Sequence, residues 1–273
     1  MGDLGSALLR HPLNSAFEWV SPTPPFRRLT QEQAEQFDRD GYIAIEDLID
    51  AATLEAVTAE IDRFEAKVDA FLKTQPDERM MIAESGALTV TIHIASRSLV
   101  LKEFVSSAAL TDLCADLIGP DVNLYWDQAV YKKPEKPRRV PWHQDNGYTY
   151  IEPQQYLTVW LALTDATVDN GCPMVAPGLH KHGTLEHHYV DPLGFECFEA
   201  PPSQAAAPVK KGGAVVFSSL MPHLTGPNTT GAVRKAYIVQ YAPVGAYTRT
   251  KDGDVPCDDP IRQFPVLRNG ERV

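Results

Sequence analysis

In His143-Gln144-Asp145 an imidazole and a carboxylate stand two positions apart. If that stretch is extended, both side chains point to one side and can hold one ion from a single element. Alone the tripeptide says little, because a chain with 8 His and 36 Asp+Glu produces such pairs by chance. Its weight comes from Met221-Pro222-His223-Leu224-Thr225 further on, and from Arg234 at the head of an apolar run. A second imidazole delivered by another strand completes a two-His-one-carboxylate set, which occupies one face of an octahedral Fe(II) and leaves positions open for oxygen chemistry. Arg234 adds a planar, permanently charged fork suited to one carboxylate of a dicarboxylate. Taken singly, His223 reads as a capping histidine and Arg234 as a rim salt bridge; only the combination points to chemistry.

Over residues 28 to 245 the sequence resembles the phytanoyl-CoA dioxygenases, which are non-haem Fe(II)- and 2-oxoglutarate-dependent oxygenases. The resemblance rests on ordered blocks: Leu29-Thr30-Gln31 with Asp40-Gly41-Tyr42, Trp142-His143-Gln144-Asp145-Asn146, Trp160-Leu161-Ala162 with Asn170-Gly171-Cys172, Val175-Ala176-Pro177-Gly178, and Gly212-Gly213 leading to His223, Thr225 and Arg234. It implies a double-stranded β-helix, that is a cupin-like jelly roll, with His143, Asp145 and His223 as iron ligands. Arg234 and Thr225 would hold the far carboxylate of 2-oxoglutarate, Trp160 would wall its pocket, and Gln128 would face it from the preceding strand. The implied reaction uses O2 to hydroxylate an unactivated carbon of a small molecule, with release of succinate and CO2. Asp145 stands where related halogenases carry a small residue, so hydroxylation is expected. His93, Tyr148 and Tyr150 are the rim residues expected to face substrate.

Two features depart from the best-known relatives: no cosubstrate-contacting lysine is evident before the triad, and the chain ends Glu271-Arg272-Val273 without a peroxisomal address. Phytanoyl-CoA itself is therefore not the expected substrate. Lys132 to Arg139 holds five cations and one anion just before His143, which suggests a basic rim and an anionic or acyl-CoA-like substrate, or else a surface loop paired with nearby acids. His180, His182, His187 and His188 read as solvated loop residues rather than a second metal site. The alternative to an enzyme is a non-catalytic or degenerate jelly-roll protein that binds metal or ligand. Arg234 separates the 2-oxoglutarate reading from a jelly-roll dioxygenase that needs no keto acid.

The elements that must position these groups divide into a helical front and a strand-rich back, an α+β pattern in which N-terminal helices flank the jelly roll. Residues 1–29, with four prolines, form an irregular arm; one oxygenase domain fills 30–273, with a long lid loop near 181–208. Thr30 to Gln33 has the form of a capping box and Gly41 suits a helix stop, which predicts a helix over 31–39. Leu54, Val57, Ile61, Phe64, Val68 and Phe71 predict a second, core-facing helix. Leu110, Leu113 and Leu117 predict another, and 122–126, 156–163, 214–217 and 236–241 read as strands. With 273 residues, 44% of them apolar, the chain has material for a real core. A net charge of −11 disfavours nucleic acid, and no apolar run is long enough for a membrane span. Four dispersed cysteines and the lack of a leader pattern suggest reduced thiols in the cytoplasm. Oligomeric state is not encoded in any pattern found.

Overall fold

The computed structural model describes residues 8–273. The first helix, α1 (Gln31–Asp40), starts at the expected capping box: the Thr30 hydroxyl accepts from the Gln33 amide while the Gln33 side chain accepts from the Thr30 amide. It stops at Gly41, whose φ of 81° is the left-handed cap that glycine takes without strain. After β1 (Tyr42–Ile45), Asp50 caps α2 (Ala51–Leu72). Leu54, Val57 and Ile61 are buried as expected, but the buried stripe then moves to Glu65 and Leu72 and leaves Phe71 48% exposed. The apolar spacing repeats every seven residues, whereas a straight helix drifts about 20° per heptad against such a repeat, so by the third heptad the stripe has rotated off the core.

Two further helices follow β2 (Leu88–Ile92): α3 (Leu99–Val105), which the sequence pattern did not reveal, and α4 (Ala108–Leu117). The strands are then β3 (Val122–Lys132), β4 (Val140–His143), β5 (Leu157–Ala162), β6 (Pro173–Val175), β7 (Ala205–Ala206), β8 (Ala214–Ser218), β9 (His223–Thr225) and β10 (Arg234–Pro243). An antiparallel main sheet runs β1-β8-β5-β10-β3-β2, and a second sheet runs β7-β6-β9-β4. Alternation sorts the main sheet's side chains. Leu157, Val159, Leu161, Tyr237 and Val239 face outward into a core shared with Leu54, Ile61, Leu101, Phe104 and Leu113 of the helices. Trp160, Val215, Phe217, Ala236 and Ile238 face inward and meet Val175 of the second sheet and Met221 of the connection before β9. Two sheets enclosing that inner core make the double-stranded β-helix, with the helices covering one outer face.

The 181–208 stretch is a wall rather than a free lid. Gly183, Thr184 and Leu185 are buried, His188–Val190 pairs with Gly194–Glu196, and β7 joins the second sheet. Of the four histidines between 180 and 188, His180 is fully buried against Trp19, with ring centroids 4.4 Å apart, and half-buried His187 accepts from the Gln144 amide at 2.9 Å, so the solvated reading fails for both. His182 and His188 are exposed. The arm is docked: Arg10 bridges to Leu185 and the Trp19 indole donates to Asp38 at 2.7 Å. Its first seven residues lie outside the described chain. Of the two readings of the basic run, the structure shows the acid-paired one, with the acids coming from other elements. Lys133 pairs with Glu65 at 2.7 Å, Lys136 with Glu84 at 3.1 Å, Arg138 also with Glu84, and Arg139 with Glu196 at 3.2 Å. Among the described residues, no helix is long and apolar enough to cross a membrane.

Candidate metal centre

His143 ends β4 and His223 begins β9, and the two residues face each other in register across that strand pair. Gln144 keeps extended dihedrals (φ −105°, ψ 145°), so Asp145 still projects to the side of His143 although it opens a short 3-10 turn instead of continuing the strand. The outcome is one cluster: ligand atoms of His143, Asp145 and His223 all lie within 4.8 Å of one another. The imidazole centroids are 4.2 Å apart, and His223 Nε2 is 3.9 Å from Asp145 Oδ1. Each histidine has its Nδ1 within hydrogen-bond distance of the carbonyl two residues back, Pro141 at 2.8 Å and Met221 at 3.0 Å. This contact orients both rings with Nε2 toward the cluster, the arrangement that metal-bound histidines use. Burial and the facing His223 hold His143 well below the usual imidazole range, which keeps it neutral and able to donate a lone pair.

Asp145 is oriented as well. The Thr158 hydroxyl donates to its Oδ2 at 2.5 Å, leaving Oδ1 on the side of His223. Thr158 lies on β5 two residues before Trp160, on the same inner face, so period-2 alternation could have singled it out.

Arg234 opens β10 on that inner face and is 1% exposed. Its guanidinium stacks over Trp160, 5.1 Å from the ring centroid. Nη1 reaches the Val130 carbonyl at 3.4 Å, while Nε and Nη2 are buried without a hydrogen-bond partner. Burial pushes the guanidinium down to about 9. In direct register with it stands Lys132, 1% exposed, whose ammonium donates to the carbonyls of Thr225 at 3.0 Å, Gly226 at 2.6 Å and Arg138 at 2.8 Å. Burial, with Arg234 and Arg138 adding to it, holds this lysine well below its ordinary range. Lys132 is thus not a loop cation. It shares the alternation of Gln128 and Val130, and that signal places it on the inner face.

The other expected site residues divide. Thr225 is buried beside the lysine it binds. Gln128 is inward-facing, in register with Ile238, and accepts from the Trp126 indole at 3.2 Å. Tyr148 packs edge-on against His143 at 5.3 Å between centroids. His93 packs against Trp126 at 4.2 Å. Tyr150 does not reach the cluster: it stacks on His11 at 4.6 Å and bonds Glu152, because the turn after Asp145 reverses the chain toward the arm.

A buried cluster of two imidazoles and one carboxylate fits a divalent ion, and a carboxylate ligand fits a buried guanidinium with two unpartnered nitrogens. Comparison with known proteins agrees with the geometry. Residues 37–236 match the family described as phytanoyl-CoA dioxygenase (PhyH). The chain belongs to that family. It is 26% identical over 251 residues to an ectoine dioxygenase of Sphingopyxis alaskensis, covering 82% of this chain and 78% of the relative. Its fold is similar to that of SnoK, a non-haem α-ketoglutarate-dependent carbocyclase of nogalamycin biosynthesis, with a TM-score of 0.69, 21% identity, and 84% and 93% of the two chains covered. EvdO2 of Micromonospora carbonacea var. aurantiaca, solved with 2-oxoglutarate, is similar at a TM-score of 0.64 and 24% identity over 81% and 94%. As a member of this family the protein is a non-haem Fe(II)- and 2-oxoglutarate-dependent dioxygenase. The non-catalytic jelly-roll reading gives way to it.

Proposed function

We propose that His143, Asp145 and His223 hold Fe(II), and that Arg234 receives the far carboxylate of 2-oxoglutarate, with Thr225 beside it and Trp160 and Gln128 as walls. Bound together, the metal and keto acid supply oxygen activation coupled to decarboxylation, releasing succinate and CO2. The chain's own contribution is placement and exclusion. The two carbonyl contacts and Thr158 fix the three ligand side chains. Arg234 supplies a cationic fork on the inner face of the main sheet, and the apolar inner core keeps water from the reacting atoms. The observation that carries this reading is the buried guanidinium with two free nitrogens on the inner face of the main sheet, the face that also carries Thr158, the partner of Asp145. Without a dicarboxylate it has no evident role.

The substrate reading is a small molecule approaching from the other side. A recess of about 610 Å3 is lined by His93, Trp126, Cys257, Asp259 and Arg262. Trp126 stands in register with Gln240, which stands in register with Thr158, the partner of Asp145. Two strand spacings, roughly 10 Å, therefore separate the recess wall from the carboxylate's support. His93 and Tyr148 are kept as substrate-facing residues. The loop at 133–139, paired with Glu65, Glu84 and Glu196, offers no free positive rim, which removes the argument for an acyl-CoA. Four unpaired cysteines support a cytoplasmic location.

The test is anaerobic titration of the protein with Fe(II) and 2-oxoglutarate. A weak visible charge-transfer band that saturates with both is expected. Its absence in folded protein would overturn the reading.

A further inference from the structure

Both neighbours of Asp145 are amides, and both are fully buried. Gln144 donates to the Gly183 carbonyl at 3.0 Å and the Leu220 carbonyl at 2.6 Å, and accepts from the Leu185 amide at 2.6 Å. Asn146 donates to the Thr184 hydroxyl at 2.7 Å and accepts from the Ile151 amide at 3.0 Å. Asp145 is thus held between two side chains that both grip the 183–185 turn. One of them also grips Leu220, three residues before His223. The turn is fastened in its own right. Gln154 accepts from the Thr184 amide and hydroxyl, both at 2.9 Å.

On its other side stands the N-terminal arm. Asn14, 4% exposed, donates to the carbonyls of His182 and Thr184 at 2.9 Å each. The His11 amide donates to Thr184 at 3.0 Å and the Glu186 amide to Leu9 at 2.7 Å. A Cβ on Gly183, whose φ is +72°, would lie 2.6 Å from the Asn14 amide nitrogen, so the turn fits against this side chain closely.

A buried amide network is rigid only when every member is satisfied, and one missing donor leaves carbonyls desolvated and loosens the geometry it imposed. The arm therefore closes a chain of contacts running from Asn14 through the 183–185 turn to Gln144 and Asn146, and so to Asp145. We infer that Asn14, about 130 positions before the ligand loop and in contact with no ligand side chain, is a positioning residue for the metal centre. Arg234 and Lys132 lie on the main sheet outside this network, so the effect falls on metal binding and spares 2-oxoglutarate binding.

The inference rests on the triad being the metal site, and the experiment separates the two. Full-length protein is titrated with Co(II) followed by its visible absorption, and then, at saturating metal, with 2-oxoglutarate. Asn14→Ala is expected to raise the Co(II) dissociation constant by about tenfold, the lower end for a group supporting a metal ligand. Asn14→Ser, which keeps one donor, should recover part of the loss, and it stands in should the alanine variant fail to fold. The 2-oxoglutarate constant should stay within about twofold. If the parent protein binds no Co(II), the metal reading itself fails. If the parent binds and both variants bind equally well, Asn14 is merely structural, even where thermal stability drops. If metal and 2-oxoglutarate affinities weaken together, the loss is general loosening and the inference is equally overturned.

Discussion

At the residue scale, the centre depends on how few groups supply its charge. Asp145 is the one carboxylate among the three ligand side chains, held by Thr158. Asp145→Ala should abolish saturable metal binding and lower succinate formation by at least about a hundredfold. Near-parental succinate release would remove Asp145 from the ligand set. Arg234→Lys keeps the charge but discards the planar fork and its stacking on Trp160. The dissociation constant for 2-oxoglutarate should rise at least about tenfold, equivalent to about 1.4 kcal/mol, while Co(II) binding stays unchanged. An unaltered constant would hand the anchoring role to Lys132, which stands in register beside it.

At the element scale, the joint between β2 and α3 is set by one buried acid. Asp127 Oδ2 accepts from the Ile94 amide at 2.8 Å, the Ala95 amide at 3.0 Å and the Tyr237 hydroxyl at 3.0 Å. That clamp turns the chain through His93, whose φ of +52° is a left-handed conformation uncommon for a residue other than glycine, and sets its ring against Trp126. Asp127→Ala would strand two buried amides and a phenol. It should lower unfolding free energy in urea by about 3 kcal/mol or more, and Asp127→Asn, which retains an acceptor oxygen, by less. Equal stability of parent and alanine variant would show that the joint is held by packing alone.

At the scale of the whole molecule, burial of the arm against α1 carries a pH signature. His180 packs under Trp19 beside the Asp38 carbonyl, and burial pushes its imidazole from 6.5 down to about 4. Between those values the unfolded chain binds a proton that the folded one does not. The folded state is therefore favoured above 6.5 and loses stability as pH falls from 6.5 to about 4, by on the order of 3 kcal/mol from this one group. Thermal midpoints should fall across that window, and His180→Gln should flatten part of the slope. Coincident slopes for parent and variant would assign the effect to other groups.

The members of the His143-Asp145-His223 cluster, the inner-face places of Arg234 and Trp160 and the in-out strand pattern were legible in the sequence, because they depend on residue type and on a period of two that holds along any strand. The cap at Thr30 and the stop at Gly41 were legible for a similar reason, since both act over three or four residues. The partners of Lys132, Thr158 and Asn14, and the loop pairs with Glu65, Glu84 and Glu196, were not. Each of the three residues owes its role to a partner far along the chain: Lys132 to Thr225 and Gly226, Thr158 to Asp145, Asn14 to Thr184. The basic run ending at Arg139 read either as a substrate rim or as a loop paired with acids, because a sequence shows charges without the acids that fold against them. Tyr150 looked like a rim residue because proximity to Asp145 in sequence does not survive the turn between them. Residue chemistry and short periodicity are local, so one strand at a time could be read. Which strands meet, and which buried donor finds which carbonyl, is settled only when the sheets close and every buried polar group must find its partner.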